Sequence, residues 1–285
     1  MPETKIYIIR HGERGDTVSG GNFTEKNFDS DGNYVPSNLN LQTTVPNRSD
    51  GILAFAKDAP LSQVGLYTAG LLGKAYMERG VKVDRVYSSP SLRVVQTAKG
   101  FLGGYGSSHS VIIEPGLFEW LGFVVYKDGH PSWMRDHEFE TMGVEVAAGV
   151  DKIYDEDDLV GGESIEDYYT RSEKVIRTIL DRHNGETILC FCHSTSHDAC
   201  SRLIRGGAHR SKEQFAHILG HTQYLCNIEI VVHEDGSVSC NGSPAPPMTV
   251  CQAKPFVHEL LNMTDYELEG DLKKHGQATM WANFL

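Results

Sequence analysis

The chain has 285 residues, of which 40% are hydrophobic and 22% are charged, and its formal net charge is −12 at pH 7. This composition predicts an ordinary soluble globular protein with enough apolar residues for a sizeable core. The negative charge argues against binding to nucleic acid or to a membrane surface, because both need a basic footprint. An anionic ligand would therefore bind in a local pocket.

The sequence carries no signal for secretion or membrane insertion. The first residues lack the pattern of a signal peptide, and no apolar run approaches the length of a membrane span, so a cytoplasmic location is expected. The cysteines lack the spacing of a zinc site, and free buried thiols are predicted. They are Cys190, Cys192, Cys200, Cys226, Cys240 and Cys251.

The predicted elements alternate between strand and helix. The apolar run at 6–9 is typical of a strand buried on both faces. Residues 15–58 follow without a sustained period and predict a long insertion or lid outside the core. Further strands are predicted at 83–87, 111–113, 187–192, 227–233 and 237–241, and helices at 62–80, 91–102 and 164–183. Gly103-Gly104 is expected to end the second of these helices, and Asp235-Gly236 predicts a hairpin between the last two strands.

This alternation predicts a three-layer α/β sandwich with a mostly parallel central sheet, in which ligands bind at the carboxyl ends of the strands. A single domain is expected over 1–285, with an insertion at 15–58 and a C-terminal tail at 244–285. In the tail, Trp281 and Phe284 are expected to dock on the body of the protein or on a partner.

Cationic side chains follow three of the predicted strands. In "IYIIRHGERGD" the first strand ends at Arg10, His11 and Arg14, and in "SSPSLRVVQTA" Arg93 lies in the first turn of the helix after the second strand. His193 follows the strand at 187–192 in the same way. Because the ends of parallel strands meet at one edge of a sheet, these residues predict a pocket for a phosphate dianion. A single RHG triplet would fit a surface turn equally well, with the arginines paired to neighbouring acidic residues.

Catalysis in such a pocket needs a nucleophile and a proton donor. A neutral His11 is a good nucleophile toward phosphorus, and neighbouring arginines would keep it deprotonated. The stretch "EPGLFEW" after the third predicted strand offers two carboxyl groups, Glu114 and Glu119. Either of them could protonate the leaving oxygen, and the residue pattern alone leaves that choice open.

The combination of motifs resembles the histidine phosphatase superfamily, which has the phosphoglycerate mutase-like fold and carries RHG at the end of its first strand. The segments "RHGER", "DAPLSQVG", "VYSSPSLRVVQTA", "EPGLFEW", "GGESIEDYYTR" and "CHSTSHDAC" occur in family order. The sequence is similar above all to the phosphatase module of the suppressor of T-cell receptor signalling proteins and to the insect ecdysteroid-phosphate phosphatase. The resemblance covers residues 5–240, interrupted at 15–58.

The resemblance implies a phosphomonoesterase that uses no metal and no organic cofactor. It implies that His11 becomes phosphorylated and that Glu119, which precedes Trp120, is the acid, a choice that removes Glu114. The phosphoryl oxygens would be held by Arg10, Arg14, Arg93 and His193. The expected substrate is a phosphorylated small molecule or phosphoprotein with a bulky or aryl group, of the phosphotyrosine or steroid phosphate type. Relatives also suggest a homodimer.

Two other functions compete with this interpretation. The first is a phosphoglycerate mutase, against which the missing asparagine shortly after RHG argues, and the second is a catalytically silent phosphate-binding scaffold. Three further features are undecided or have an ordinary structural interpretation. Trp120 and Trp133 fit either the core or the pocket mouth. His197 is expected to cap a helix or face solvent, with a place at the pocket edge as the alternative. Gly161-Gly162 is expected to form a turn, with an anion cradle as the alternative.

Overall fold

The computed structural model describes residues 2–248 and 258–275. The strands are β1 Thr4–Arg10, β2 Arg85–Ser88, β3 Ile112–Ile113, β4 Thr187–Cys192, β5 Asn227–Val232 and β6 Val238–Asn241. They form one sheet with the order β3-β2-β4-β1-β5-β6. The first four are mutually parallel, β5 runs antiparallel to β1, and β6 pairs with β5 as a hairpin. The predicted mostly parallel sheet and the hairpin are therefore confirmed.

The helices of the described residues are α1 Gly15–Ser19, α2 Phe23–Asn27, α3 Gln63–Glu78, α4 Leu92–Tyr105, α5 Asp136–Thr141, α6 Ile165–Arg182, α7 Ser196–Arg202, α8 Lys212–His221, α9 Glu259–Asn262 and α10 Asp265–His275. Short 3-10 turns lie at Ile52–Ala56, Pro115–Leu117, Val124–Tyr126, Glu156–Asp158 and Leu203–Arg205. The long predicted elements all exist, and their ends differ from the predictions by a few residues.

Alternate residues of β1 enter two different cores. Tyr7 and Ile9 pack in one cluster with side chains of α3 and α4, whereas Ile6 and Ile8 pack in another with side chains of α6 and α7. This alternation is the period of a strand, and it places helices on both faces of the sheet. The three-layer α/β sandwich is thus confirmed.

Helices α3 and α4 approach each other through glycines. A Cβ atom on Gly104 would lie 1.9 Å from the carbonyl oxygen of Gly70, and one on Gly73 would lie 1.9 Å from that of Phe101. The prediction that Gly103-Gly104 ends the helix is therefore wrong, because these glycines permit close packing and α4 continues to Tyr105. It ends instead at Gly106, whose φ of +78° is left-handed.

The segment at 15–58 contributes to the core. Phe23, Leu41 and Phe55 are each at most 2% exposed and belong to the same cluster as Tyr7 and Ile9. The expectation that this segment stays outside the core is wrong. Its apolar residues are single and widely spaced, so they show no helical or strand period although they are buried.

Trp120 and Trp133 both lie in the core. They belong to a third apolar cluster, in which Trp133 packs edge-on against Phe118 and the indole nitrogen of Trp120 donates to the carbonyl of Glu163 at 2.8 Å. His197, expected at the surface or as a cap, is fully buried, and that expectation is wrong. Its Nε2 lies 3.1 Å from the carbonyl oxygen of Cys226.

Several predictions concern features away from the sheet edge. Cys190, Cys192, Cys200, Cys226 and Cys240 are buried free thiols, as predicted. Cys251, Trp281 and Phe284 lie outside the described residues. None of the helices at 2–248 and 258–275 is long and apolar enough to cross a membrane.

Candidate active site

Two strands and one helix bring the predicted phosphate-binding residues to one edge of the sheet. His11 follows β1, His193 follows β4, and Arg93 is the second residue of α4. The ring centroids of His11 and His193 are 5.5 Å apart. Arg93 connects them, because its Nε lies 3.4 Å from Nε2 of His11 and its Nη2 lies 3.2 Å from Nδ1 of His193.

His11 is held with one ring nitrogen unprotonated and therefore able to act as a nucleophile. Its Nδ1 lies 2.8 Å from the carbonyl oxygen of Gly12, which can only accept, so Nδ1 carries the proton and Nε2 keeps its lone pair. The amide of Gly12 is itself fixed by a hydrogen bond to Oγ1 of Thr97 at 3.0 Å. Burial, with the charges of Arg93 and Arg10, holds the pKa of His11 well below its usual value. His11 is therefore neutral at pH 7.

His193 is neutral for the same physical reasons. Burial lowers its pKa well below the usual value, and the charges of Arg93, Arg14 and Arg10 lower it further. Because Nδ1 accepts from Arg93, Nε2 carries the proton and donates to Oγ of Ser89 at 2.8 Å. This N–H fixes the ring behind the pocket.

Arg10 and Arg93 are buried guanidinium groups that do not use all their donors. Nη1 of Arg10 donates to the carbonyl of Thr222, and its guanidinium lies 4.3 Å from the ring centroid of Tyr224. Nε of Arg10 and Nη1 of Arg93 are buried and form no hydrogen bond within the described chain. A buried donor without a hydrogen bond is costly, so two of them near one histidine indicate a site for a ligand with acceptor oxygens.

Arg14 is placed differently from the other arginines. Its Nε donates to Oδ1 of Asp16 at 2.8 Å, its Nη2 donates to Oδ2, and its side chain is 31% exposed. The ion pair of Arg14 with the neighbouring Asp16 is the one expected if the RHG triplet formed only a surface turn. Arg14 still adds positive charge to the site, since it lowers the pKa of His193.

The two candidate acids have different surroundings. Oε1 of Glu119 accepts from Nη2 of Arg93 at 2.5 Å and from the hydroxyl of Tyr126 at 2.8 Å, and it lies 3.8 Å from Nδ1 of His193. Glu114 accepts instead from three backbone amides, those of Gly116, Ile153 and Tyr154, at 2.7 to 3.1 Å. Glu119 thus lies beside the histidines, whereas Glu114 stabilises a loop through its backbone amides.

Several residues of the site could not be found by reasoning from the sequence. Tyr126 and Tyr224 lie in irregular segments where nothing marks a tyrosine as functional, and Ser89 and Thr97 are hydroxyl residues of common type. Asp58 is different, because it opens the "DAPLSQVG" segment that the sequence analysis noted. Its spacing from Arg93 gave no sign that the two would meet.

Comparison with known proteins identifies the family. A model of the histidine phosphatase superfamily (branch 1) matches residues 43–240. The chain belongs to this superfamily. This histidine phosphatase superfamily member is 36% identical to ecdysteroid-phosphate phosphatase of Drosophila melanogaster over 236 residues, which are 81% of this chain and 31% of that protein. It is 33% identical to human ubiquitin-associated and SH3 domain-containing protein B over 250 residues, which are 86% of this chain and 38% of that protein.

The fold of this superfamily member is also found among solved structures. It matches the ecdysone phosphate phosphatase of Bombyx mori, solved with tungstate, with a TM-score of 0.71 and 24% identity, over 90% of this chain and 99% of that one. The chain spans about a third of the length of the curated relatives it matches.

Proposed function

We propose that this protein is a metal-independent phosphomonoesterase that forms a phosphohistidine on His11. The observation that carries this proposal is a neutral histidine flanked by two buried guanidinium groups, each with an unused donor. A phosphate dianion would fill both donors and neutralise part of the buried positive charge. Arg14 and His193 complete the proposed set of phosphate ligands, Arg14 by releasing or sharing Asp16.

In the first step, Nε2 of His11 attacks phosphorus in line with the ester oxygen. The N–P bond forms, the P–O ester bond breaks, and the carboxyl proton of Glu119 passes to the leaving oxygen. Arg93 contacts both Glu119 and His11, so it can stabilise charge on the phosphoryl oxygens while the bond order changes.

In the second step, the carboxylate of Glu119 takes a proton from water. The water oxygen attacks phosphorus and the N–P bond breaks. Inorganic phosphate is released, and Glu119 is left in its protonated form. His11 recovers its lone pair on Nε2, while its Nδ1 keeps its proton and donates it to the carbonyl oxygen of Gly12 throughout. Neither proposed step uses a metal ion, because the arginines supply the positive charge at the phosphoryl group.

The proposed substrates are phosphate esters of bulky alcohols or phenols. Two relatives that are named ecdysteroid-phosphate phosphatase support this substrate class. A contribution of Trp120 or Trp133 to the pocket mouth is not part of the proposal, since both are core residues.

Rapid-quench labelling tests the proposal. The full chain, incubated with a ³²P-labelled aryl phosphate and quenched, should carry an acid-labile, base-stable label and should release inorganic phosphate. His11→Ala should lose both signals, whereas His137→Ala, a change at an exposed histidine away from the site, should keep them. A label that persists in His11→Ala would assign the nucleophile to another residue. Phosphate returned to a bound alcohol would indicate a mutase, and binding without turnover would indicate a scaffold.

A further inference from the structure

Asp58 is a fully buried carboxylate at the end of the 15–58 segment, where it meets the beginning of α4. Its Oδ1 accepts from the amide of Leu92 at 2.9 Å and lies 3.6 Å from Nη1 of Arg93. Its Oδ2 accepts from Nη1 of Arg48 at 3.0 Å. One carboxylate therefore contacts the backbone just before Arg93 and the side chain of Arg93 as well.

The contact with Leu92 replaces an ordinary helix cap. Ser91 occupies the N-cap position of α4, but its hydroxyl makes no capping hydrogen bond and is buried without a partner among the residues that the structure describes. Serine at this position normally accepts from an amide in the first turn. Here Asp58 satisfies the first amide of the helix from a separate segment, so the start of α4 is fixed to that segment.

The remaining donors of Arg93 are directed to other groups. Nε and Nη2 contact His11, Glu119 and His193. Only Nη1 lies near Asp58, at a distance that leaves its hydrogens available to a phosphate oxygen. Arg93 is thus held between a carboxylate that takes no part in the proposed chemistry and the residues that do.

We propose that Asp58 is a positioning residue that fixes the guanidinium of Arg93 for phosphate, and that Arg48 holds Asp58 in place. Arg48 is itself buried and anchored, since its Nη2 donates to the carbonyl of Ser132 at 2.5 Å. The 15–58 segment would then set the geometry of the phosphate site without touching substrate. The part that concerns turnover rests on the proposed function, whereas the part that concerns phosphate binding does not.

The charge of Asp58 and its proposed positioning role predict opposite effects of Asp58→Asn on phosphate affinity. Loss of a negative charge close to an anion site should, by Coulomb attraction alone, make phosphate bind more tightly. Loss of the group that fixes Arg93 should make phosphate bind more weakly, because the guanidinium must then be ordered on binding. The sign of the change in affinity therefore separates the two roles.

The experiment measures binding of inorganic phosphate to the full chain by calorimetry, together with kcat and KM for p-nitrophenyl phosphate. Asp58→Asn should weaken phosphate binding severalfold and lower kcat/KM by roughly 10- to 100-fold. In an Arg93→Lys background, which keeps the charge but lacks the planar fork, Asp58→Asn should have little further effect. Unchanged or tighter phosphate binding would overturn the proposal, and so would a loss of equal size in both backgrounds.

Asp198→Asn is the matched control for a buried aspartate that loses its charge. Asp198 is 1% exposed and pairs with the buried Arg210 at 3.4 Å. It contacts none of the proposed phosphate ligands, so its substitution should lower thermal stability and leave phosphate affinity unchanged.

If Asp58→Asn does not fold, Arg48→Met provides the test, because methionine has no donor for Oδ2 of Asp58. Asp58 can then turn away from Arg93, so phosphate binding should again weaken, and this loss should disappear in an Arg93→Lys background. Wild-type affinity in Arg48→Met would overturn the proposal. A wild type that binds phosphate but hydrolyses no ester would refute the proposed function, and the binding comparison would still test Asp58.

Discussion

Arg93 and Arg171 are both buried arginines next to Glu119, and they differ in how many of their donors are filled. Arg171 forms a two-bond fork with Glu163 at 2.8 Å and donates to the carbonyls of Gly116, Phe118 and Glu119. Arg93 contacts Glu119 and both site histidines, whereas its Nη1 lies 3.6 Å from Oδ1 of Asp58 and forms no hydrogen bond with the described residues. A guanidinium whose donors are all bonded fixes the loop that carries Glu119, whereas one with a donor that forms no hydrogen bond is available to a ligand.

The largest expected effect comes from exchanging each arginine for methionine. Arg93→Met should lower kcat/KM by about 10² to 10³, as loss of a donor to transition-state charge does elsewhere. Its effect on stability should be smaller than that of Arg171→Met, because Asp58 keeps Arg48 and Glu119 keeps Tyr126 as partners. Steady-state kinetics and urea unfolding of both variants measure this contrast.

Arg171→Met should instead act on stability. It leaves Glu163 without its fork and three carbonyls without donors, so the free energy of unfolding should fall by roughly 3 to 5 kcal/mol. The comparison fails if Arg171→Met remains as stable as the wild type, or if Arg93→Met is the more destabilised of the two.

The two glutamates give the next contrast. Glu119→Gln removes the proposed proton donor, so turnover of alkyl phosphates should fall by about 10²-fold, and turnover of p-nitrophenyl phosphate should fall far less because nitrophenolate leaves without a proton. Glu114→Gln should lower stability and affect both substrates alike, since Glu114 binds loop amides. Equal sensitivity of the two substrates to Glu119→Gln would mean that this residue positions substrate or water.

The positions of the site residues that directly follow a strand could be predicted from the sequence. Arg10, His11 and His193 follow buried apolar runs, and a parallel sheet necessarily gathers such ends at one edge. Glu119 and Glu114 could not be separated by spacing, because both follow the same strand. Their difference depends on which backbone amides bind Glu114, and two of the three amides that do so come from residues some 40 positions away.

The contributions of the 15–58 segment could not be predicted for a related reason. Phe23, Leu41 and Phe55 are buried by tertiary packing and not by a local period, so a search for periodicity misses them. Arg48 and Asp58 acquire their roles only when the segment folds against α4. Contacts between residues that are distant in the chain leave no recognisable pattern in a single sequence.

A smaller effect is expected in the pH dependence of stability. Burial lowers the pKa of His197 from its ordinary value of 6.5 to about 4, and the pKa values of His11 and His193 shift in the same direction. Below pH 6.5 the unfolded chain binds protons that the folded chain excludes, so stability falls as the pH decreases toward 4. His197 alone contributes roughly 3 kcal/mol to this loss.

Urea unfolding at pH 7.5 and pH 5 checks this expectation. His197→Gln can keep the hydrogen bond to Cys226 but cannot titrate, so its stability should fall less between the two pH values than that of the wild type. His137→Gln, at an exposed position, should decline as the wild type does. The same decline in His197→Gln and wild type would contradict burial as the cause.

The smallest expected effect is that of a chelator, and it bears directly on the unfilled arginines. In the proposed mechanism Arg10 and Arg93 supply the positive charge that a metal ion supplies in other phosphatases, and both charges belong to the folded chain. Prolonged dialysis against EDTA should therefore leave kcat/KM for p-nitrophenyl phosphate unchanged, while Arg93→Met should remain impaired when Mg²⁺ or Zn²⁺ is added. Loss of turnover in EDTA, restored by one divalent ion, would mean that the arginines only assist a metal. The contrast between Arg93 and Arg171 would then describe packing alone.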